Sequence, residues 1–198
     1  MFELSTKWLV PFSGQHAALW FHEIKNHSEF TTIPWSKETA GVRGSNRVND
    51  SMIFTWDTPL QTVRSMLMTC GHLVICGHGK NDGSGELRSN ITANYQSRSA
   101  DVVIEQLHIW NPGSFFNFYL WFANCHSGEP RGPGTIALNH CRDVGFRFKG
   151  IIGHLGKITS VFAEGRDFWS NSYNWRMLGG GDMRTLKENL LRSMSRLK

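Results

Sequence analysis

Two stretches of this sequence decide its predicted fold: Leu73-Val74-Ile75-Cys76-Gly77-His78-Gly79 and Phe122-Ala123-Asn124-Cys125-His126-Ser127-Gly128. Each is an apolar run that ends at a reactive side chain followed closely by glycine. Short apolar runs of this kind are typical of buried strands in a parallel sheet. Parallel strands present their carboxyl ends at one edge of the sheet, where open α/β proteins bind their ligands. We therefore expect His78 and Cys125 to lie on the same edge.

Helical patterns alternate with apolar strands through most of the chain. From residue 51 onward we predict strands at 52–56, 72–76, 115–122 and 150–153, and helices at 58–68, 100–109, 136–144, 161–178 and 182–197. Before residue 51 the pattern is weaker, with an edge strand near 8–12 and a helix over 15–26. The polar segment 80–97 is predicted to be a loop. Strands that alternate with helices indicate an α/β fold, with a mostly parallel central sheet flanked by helices.

The composition describes a globular protein of one domain. The chain has 198 residues, of which 40% are hydrophobic and 19% charged, and this length is ample for a single core that includes residues 1–50. The net charge of +5 is spread along the chain, and its densest part is Arg184–Lys198. We interpret that stretch as the solvated face of a helix, so nucleic acid is not an expected partner.

Four cysteines in a chain of this size do not indicate a disulfide-stabilised scaffold. Cys70 and Cys76 each end an apolar segment, which predicts reduced thiols that pack in the core. The first residues contain no basic region leading into an apolar stretch, so no signal peptide is predicted. No apolar run has the length of a membrane span. The expected compartment is therefore the cytoplasm, with no membrane partner.

A thiol and an imidazole at one sheet edge are suited to nucleophilic catalysis. A thiol attacks as its thiolate, which a nearby imidazole favours by taking up the proton. The acyl intermediate also needs an oxyanion hole, usually built from backbone N–H groups. Gly79, directly after His78, has no side chain to obstruct such a contact, and the amide of Cys125 is the natural second donor. Ser127-Gly128 allow a tight turn after the nucleophile.

The two segments resemble the active-site blocks of the caspase-like cysteine peptidases, a group that includes caspases, metacaspases, gingipains, separases and CHAT proteases. Cys76-Gly77-His78-Gly79 resembles the metacaspase Ser-Gly-His-Gly block. Asn124-Cys125-His126-Ser127-Gly128 resembles its Cys-His-Ser-Gly block. The pair of blocks, in this order, is considerably more specific than either block alone.

The C-terminal part extends this resemblance. The segment Gly150–Gly153, a helix, the triplet Gly179–Gly181 and a final basic helix are similar to the ending of CHAT domains. The matches together span residues 51–195. The resemblance implies a caspase-like three-layer sandwich, in which His78 acts as general base or acid and Cys125 as the nucleophile.

The predicted substrate pocket departs from the metacaspase pattern. Metacaspases carry an acidic residue two positions before the cysteine, where it helps to select Arg or Lys, and this sequence has Ala123 there. Candidates for the substrate pocket are Asp82, Ala123, Asn124, Glu129 and His154. Glu86, Glu164 and Asp167 are further acidic candidates, although a solvated surface charge is the commoner role for each acidic residue.

No metal or other cofactor is predicted. The acidic calcium-binding clusters of some metacaspases are not recognisable in this sequence. The cysteines and histidines also lack the paired spacing of structural zinc sites. Adjacent residues of a strand face opposite sides of the sheet, so Cys125 and His126 would not ligate one ion together.

The sequence thus predicts a cysteine endopeptidase that acts on a protein or peptide substrate, and a regulatory protein partner is compatible with this interpretation. One alternative stays open, a catalytically inactive caspase-like module that works through protein–protein contacts. In that case His78 is a core histidine and Cys125 an inert buried thiol. A nucleic-acid-binding domain is a third hypothesis that depends on the charge alone.

Overall fold

The computed structural model describes residues 6–26, 48, 50–158 and 174–195, with residues 190–195 described by their backbone alone. The strands are β1 (Thr6–Val10), β2 (Ile53–Thr55), β3 (His72–Ile75), β4 (His78–Gly79), β5 (Glu86–Arg88), β6 (Ser97–Ser99), β7 (Phe115–Phe122), β8 (Arg147–His154) and β9 (Trp175–Gly179). The helices are α1 (Gly14–Asn26), α2 (Leu60–Met68), α3 (Ala100–Trp110), α4 (Pro133–Val144) and α5 (Met183–Ser195). A short 3-10 helix, Asp50–Met52, leads into β2.

Six of these strands form the central sheet, in the order β2-β1-β3-β7-β8-β9. The first five are parallel to one another, and β9 pairs with β8 in the antiparallel direction. The fold is therefore α/β with a mostly parallel sheet, as the sequence predicts. The chain runs from β1 to β2 on one side and later from β3 to β9 on the other, so its direction along the sheet reverses beside β1. Crevices at the carboxyl ends of the strands near such a reversal are the usual ligand sites of α/β proteins.

Helices flank the sheet. α2 contacts α3 and α3 contacts α4, so these three helices lie along one face. α1 contacts β1 and β2. The connection from β1 to β2, which contains α1, runs along the sheet in the direction opposite to the connections that contain α2, α3 and α4. The right-handed rule for parallel crossovers therefore places α1 on the other face. Within the described ranges, none of the helices combines the length and the apolar character that crossing a bilayer requires.

Aromatic side chains fill much of the core. Trp8 of β1 and Trp121 of β7 are fully buried. Phe116 of β7 stacks on Phe148 of β8, with ring centroids 4.5 Å apart. Trp121 packs edge-on against Trp175 at 5.3 Å, which fastens the antiparallel strand β9 to the parallel part of the sheet. The high aromatic content of the sequence thus goes largely into packing around the sheet.

The segment predicted as a polar loop, 80–97, instead contains part of a second sheet. This small antiparallel sheet has the order β4-β5-β6. Leu87 is fully buried at the centre of β5, whereas Glu86 and Arg88 on either side are partly exposed and form an ion pair at 2.6 Å. A single buried residue in a strand of three gives too short an alternation for a sequence pattern to reveal.

The helix predicted over 161–178 is wrong where the structure describes this region. Trp175–Gly179 form β9, an edge strand that pairs with β8. This strand makes contacts with residues that are distant in the sequence. Gly150 of β8, for example, leaves room for Met177 of β9. A Cβ atom on Gly150 would lie 2.5 Å from the Met177 sulfur. The periodicity of apolar residues within one segment carries no information about such contacts.

Other local predictions have mixed outcomes. The strand near 8–12 is not an edge strand, because β1 pairs with both β2 and β3 and ends before Pro11. Asp182 caps α5 as predicted, since its Oδ2 accepts a hydrogen bond from the Thr185 amide at 3.1 Å. Two acidic candidates from the sequence lie outside the described residues: Glu164 and Asp167.

A buried histidine links the pH dependence of stability to the pairing of β3 with β7. His72 is 2% exposed and stacks on Tyr119, with ring centroids 5.3 Å apart. Its Nδ1 accepts a hydrogen bond from Trp121 Nε1 at 3.1 Å. Burial lowers the pKa of His72 from its ordinary 6.5 to about 3, so the folded protein holds the neutral ring.

We expect the free energy of unfolding to fall as the pH drops below 6.5, the ordinary pKa of histidine, because the unfolded chain then binds a proton that folded His72 does not. The loss should approach about 1.4 kcal/mol per pH unit until the folded pKa is reached. His72→Gln keeps an acceptor for Trp121 but does not titrate, so its stability should vary less over this range. Denaturant unfolding of both proteins from neutral to acidic pH checks this. Equal pH dependence in the two proteins contradicts it.

Candidate active site

The two predicted catalytic side chains follow the carboxyl ends of β3 and β7. These strands are parallel neighbours, with Ile75 opposite Phe122 in their register. His78 lies three positions after Ile75, and Cys125 lies three positions after Phe122. The two residues therefore occupy corresponding positions just beyond the paired strands. The structure brings them to the same edge of the sheet.

Gly79 brings the two strand ends into backbone contact. A Cβ atom at this position would lie 2.5 Å from the carbonyl oxygen of Cys125 and 2.9 Å from the Cβ of Asn124. Such distances are too short for real side chains, so any other residue here would push the histidine segment away from the cysteine segment. The glycine is thus needed for close approach of the two segments, in addition to the open amide that the sequence predicts.

The side chain of Asn124 ties the same two segments together. It is 1% exposed, and its Nδ2 donates to the carbonyl oxygens of Ile75 at 3.3 Å and Gly77 at 2.8 Å. These carbonyls lie on the neighbouring strand and in the turn that leads to His78. Asn124, a pocket candidate from the sequence, therefore lies inside the protein as a bridge between the two strand ends.

Trp20 of α1 covers the imidazole of His78. The ring centroids are 5.5 Å apart in an edge-on arrangement. Trp20 is itself held by a hydrogen bond from its Nε1 to the carbonyl oxygen of Ser89 at 2.8 Å. Burial lowers the pKa of His78 below the ordinary 6.5, so the neutral ring predominates at pH 7. A neutral imidazole is the form that can accept a proton from a thiol.

Cys125 differs from the other three cysteines in its exposure. Cys70, Cys76 and Cys141 are buried free thiols. Burial raises the pKa of Cys70 and of Cys141 to about 12, and it raises the pKa of Cys76 as well. Cys125 is partly exposed, and its Sγ donates to the carbonyl oxygen of Ile158 at 3.9 Å. Of the four thiols, Cys125 is the one that a substrate can reach.

Hydrogen bonds fasten the cysteine loop, residues 123–132, to the β8 loop, residues 155–158. The N–H of His126 donates to the carbonyl oxygen of Gly156 at 2.7 Å. Glu129 Oε1 accepts two hydrogen bonds, from His126 Nδ1 at 2.6 Å and from the Gly156 N–H at 3.0 Å. His126 has φ 60°, a left-handed conformation that costs a residue other than glycine about 1 kcal/mol or more. The bonds to Glu129 and Gly156 thus hold a strained residue directly after Cys125.

Ser127 and His154 anchor the cysteine loop to the end of β8. Ser127 is fully buried, and its Oγ donates to the Phe122 carbonyl at 2.7 Å and accepts from the His154 N–H at 2.8 Å. The N–H of Gly128 donates to the His154 carbonyl at 2.8 Å. The ring of His154 packs edge-on against Trp175 at 5.0 Å, and the residue is 4% exposed. His154, another pocket candidate, is therefore a buried residue whose backbone bonds to Ser127 and Gly128 support the cysteine loop.

The remaining pocket candidates lie in different surroundings. Asp82 is exposed, and the hydrogen bonds that its carboxylate accepts from Ser84 lower its pKa. Glu129 accepts from the cysteine loop and the β8 loop, as described above. Ala123 is 2% exposed and belongs to the core. The carboxylates of Asp82 and Glu129 thus already accept hydrogen bonds from nearby groups of the protein.

The site contains a thiol, imidazoles and a carboxylate, which are all potential metal ligands. In the part of the chain that the structure describes, however, no three His, Cys, Asp or Glu side chains are grouped so that they would hold a metal ion. His126 and Glu129 face each other as hydrogen-bond partners. Their arrangement is that of a structural pair within the loop.

Sequence reasoning missed the residues that support the site from other segments. Trp20, Gly156 and Ile158 belong to segments that carry no recognisable motif, and only the fold brings them to the strand ends. Asn124 did carry a signal, because a polar side chain at the end of a buried strand has to find hydrogen-bond partners. Ser127, three residues further along and predicted only as part of a turn, carried the same signal.

No protein-family model and no curated protein matches this sequence.

Protonation of Glu129 should loosen the cysteine loop. The hydrogen bond from His126 lowers the pKa of Glu129 below its ordinary 4.5, and the Gly156 amide acts in the same direction. A carboxyl group with a lowered pKa stabilises the folded state above its ordinary pKa, and this contribution is lost as the pH falls through the folded pKa. We expect Glu129→Gln to lower the Tm by about 2–4 °C near neutral pH, and to differ less from wild type in acid.

Glu105 provides a matched control, because its Oε1 pairs with His140 Nε2 at 2.7 Å on α3 and α4, away from the cysteine loop. Glu129→Gln should change the rate at which iodoacetamide alkylates Cys125, whereas Glu105→Gln should leave that rate unchanged. Thermal melts at neutral and acidic pH, with mass spectrometry of the alkylated protein, measure both effects. Equal alkylation rates in the two variants would contradict the role assigned to Glu129.

Proposed function

We propose that this chain is a caspase-like cysteine endopeptidase that hydrolyses peptide bonds through a thioacyl intermediate. Cys125 is the nucleophile and His78 the general base and acid. The backbone amides of Gly79 and Cys125 form the oxyanion hole. The observation that carries the proposal is the register of β3 and β7, which puts a partly exposed thiol and a neutral imidazole at corresponding positions on adjacent strand ends.

Two further observations support this assignment. The contact of Gly79 with the Cys125 carbonyl keeps the two strand ends together without an intervening side chain. The hydrogen bonds around His126 tie the loop after the nucleophile to the β8 loop. Preorganised groups of this kind are what nucleophilic catalysis requires, because geometry has to be in place before the reaction.

In the proposed mechanism the Cys125 thiol gives its proton to His78, and Sγ forms a bond with the substrate carbonyl carbon. The carbonyl electrons move to the oxygen, where the two amides stabilise the charge. As the C–N bond breaks, His78 donates the proton to the leaving amine and a thioester remains. His78 then accepts a proton from the attacking water. The C–S bond breaks, the acid product leaves and the thiol regains its proton.

A catalytically inactive module that binds other proteins is the second candidate function. The hydrogen bond from Cys125 Sγ to the Ile158 carbonyl favours it, because it directs the S–H toward a backbone oxygen instead of toward His78. The enzyme, in contrast, requires this proton to pass to His78. The two candidates therefore differ in the reactivity of the same thiol.

The substrate class that follows from the proposed mechanism is a protein or peptide, and a regulatory protein partner fits the same proposal. The cytoplasm is the compartment that we propose, because a nucleophilic cysteine has to stay reduced. Nucleic acid is not part of the proposal.

We expect Cys125→Ala to abolish peptide hydrolysis and to leave the Tm nearly unchanged, because a partly exposed thiol contributes little packing. Cys76→Ala is the matched control: this thiol is 2% exposed, and its loss should cost about 1 kcal/mol of stability without changing turnover. A peptide-library assay with thermal melts measures both quantities. Loss of turnover in Cys76→Ala alone would show that the nucleophile is wrongly assigned.

Alkylation by a peptide-based electrophile separates the enzyme from the inactive module. In the enzyme, Cys125 should be labelled much faster than the other three cysteines, and His78→Ala should slow this labelling by about 10²-fold or more, since general-base catalysis is worth that much. In the inactive module, His78→Ala should leave the rate of labelling unchanged.

We also expect cleavage not to require Arg or Lys before the scissile bond. Ala123 stands where a metacaspase carries a carboxylate, and a buried guanidinium without a partner is costly. The carboxylates of Glu129 and Asp82 already accept hydrogen bonds from their own loops. Libraries with each residue fixed at this position measure the preference. Efficient cleavage after Arg that disappears in Glu129→Gln or Asp82→Asn would refute the expectation.

A further inference from the structure

Asn124 sits at the point where the regular pairing of β3 with β7 ends. The last backbone bond between the two strands runs from the Ala123 N–H to the Ile75 carbonyl at 3.1 Å. In a parallel ladder the next bond from the same strand starts two residues later and reaches the acceptor two residues along. Continued in this register, the ladder would join the Cys125 N–H to the carbonyl of Gly77.

The side chain of Asn124 occupies that acceptor. Its Nδ2 lies 2.8 Å from the Gly77 oxygen and 3.3 Å from the Ile75 oxygen. Both partners are carbonyls, which only accept hydrogen bonds, so the nitrogen of the carboxamide has to face them. The Asn124 Oδ1 is buried and accepts no hydrogen bond from the described residues. The carboxamide is therefore oriented by its two donated bonds.

The backbone amide of Cys125 is left out of the ladder as a result. Its neighbours are engaged, since the His126 N–H donates to Gly156 and the Ser127 N–H donates to Asn124. Within the described residues, the N–H of Cys125 donates no hydrogen bond. A partly exposed residue with an unused amide, next to a thiol, is what an oxyanion hole needs.

We infer that Asn124 is a positioning residue: its carboxamide takes the Gly77 carbonyl in place of the Cys125 N–H and so keeps that amide free for the oxyanion. The oxyanion role rests on the proposed peptidase function. That the Asn124 side chain, and not the Cys125 N–H, donates to the Gly77 carbonyl is a property of the fold that can be measured without a substrate.

The geometry restricts which side chains would serve at this position. Leucine is close to asparagine in size but has no donor, so the substitution Asn124→Leu frees the Gly77 carbonyl for the Cys125 N–H. Asn124→Asp places a carboxylate next to the carbonyl oxygens of Ile75 and Gly77, and the negative charge repels both oxygens. Asn124→Ala also removes the donor, and it adds no bulk to the space between the two strand ends.

Backbone amide exchange of protein labelled with ¹⁵N-cysteine tests the inference directly, because the chain has four cysteines and gives four such signals. Each signal is assigned through its own Cys→Ser substitution. In wild type, the Cys125 amide should exchange within about tenfold of the rate of an unprotected amide. In Asn124→Leu, it should be slowed by about tenfold or more as it bonds to Gly77. Asn124→Ala gives the same comparison if Asn124→Leu does not fold.

Ser127→Ala is the matched control, because Ser127 is fully buried in the same loop and also makes two hydrogen bonds. It should lower the Tm and leave the Cys125 amide unprotected. Strong protection of the Cys125 amide in wild type would overturn the inference. So would equal protection in wild type and both Asn124 variants.

Kinetics separate a positioning role from a merely structural one. Loss of one oxyanion donor typically lowers kcat by about 10²–10³-fold, and KM should change little in Asn124→Leu. Iodoacetamide alkylation of Cys125 forms no oxyanion, so its rate should stay within about threefold of wild type. Equal slowing of both reactions would reduce Asn124 to a structural role. Absence of hydrolysis in wild type would refute the peptidase proposal and leave the amide result standing.

Discussion

The parallel pairing of β3 with β7 is the constraint on which the site depends. A slip of one residue in this register would place His78 level with Asn124 or His126 instead of Cys125. A hydrogen bond and a ring contact join His72, the first residue of β3, to Trp121 of β7 and so tie the two strands together in this register. Buried rings that take no part in the proposed chemistry thus help to keep His78 and Cys125 at corresponding positions.

A reactive residue placed after a strand, instead of on it, needs support from other segments. The β8 loop gives this support through Gly156, which both accepts from His126 and donates to Glu129. Gly153 allows the close approach, since a Cβ atom there would lie 2.7 Å from the backbone nitrogen of Gly128. The left-handed conformation of His126 is thus offset in part by contacts from the β8 loop, which the two sequence motifs do not include.

The sequence predicts the parallel strands and the reactive residues at their ends because these depend on local patterns: apolar runs, their lengths and the glycines that follow. It does not predict β9, because an edge strand such as Trp175–Gly179 is determined by packing on β8. The sequence does not predict the hydrogen bonds of Asn124 for the same reason, since their acceptors belong to β3 and the turn that follows it. Residue types at a site are thus readable from this sequence, whereas the contacts that orient them require the fold.

The protonation of the site follows from its burial. Trp20 shields His78 from water, and the lowered pKa of His78 disfavours a resting imidazolium. The neutral ring is therefore the form of His78 that meets the substrate, ready to accept a proton. On the proposed mechanism, proton transfer to His78 then accompanies the attack on the substrate, and the free amide of Cys125 stabilises charge only at that stage, where it lowers the barrier.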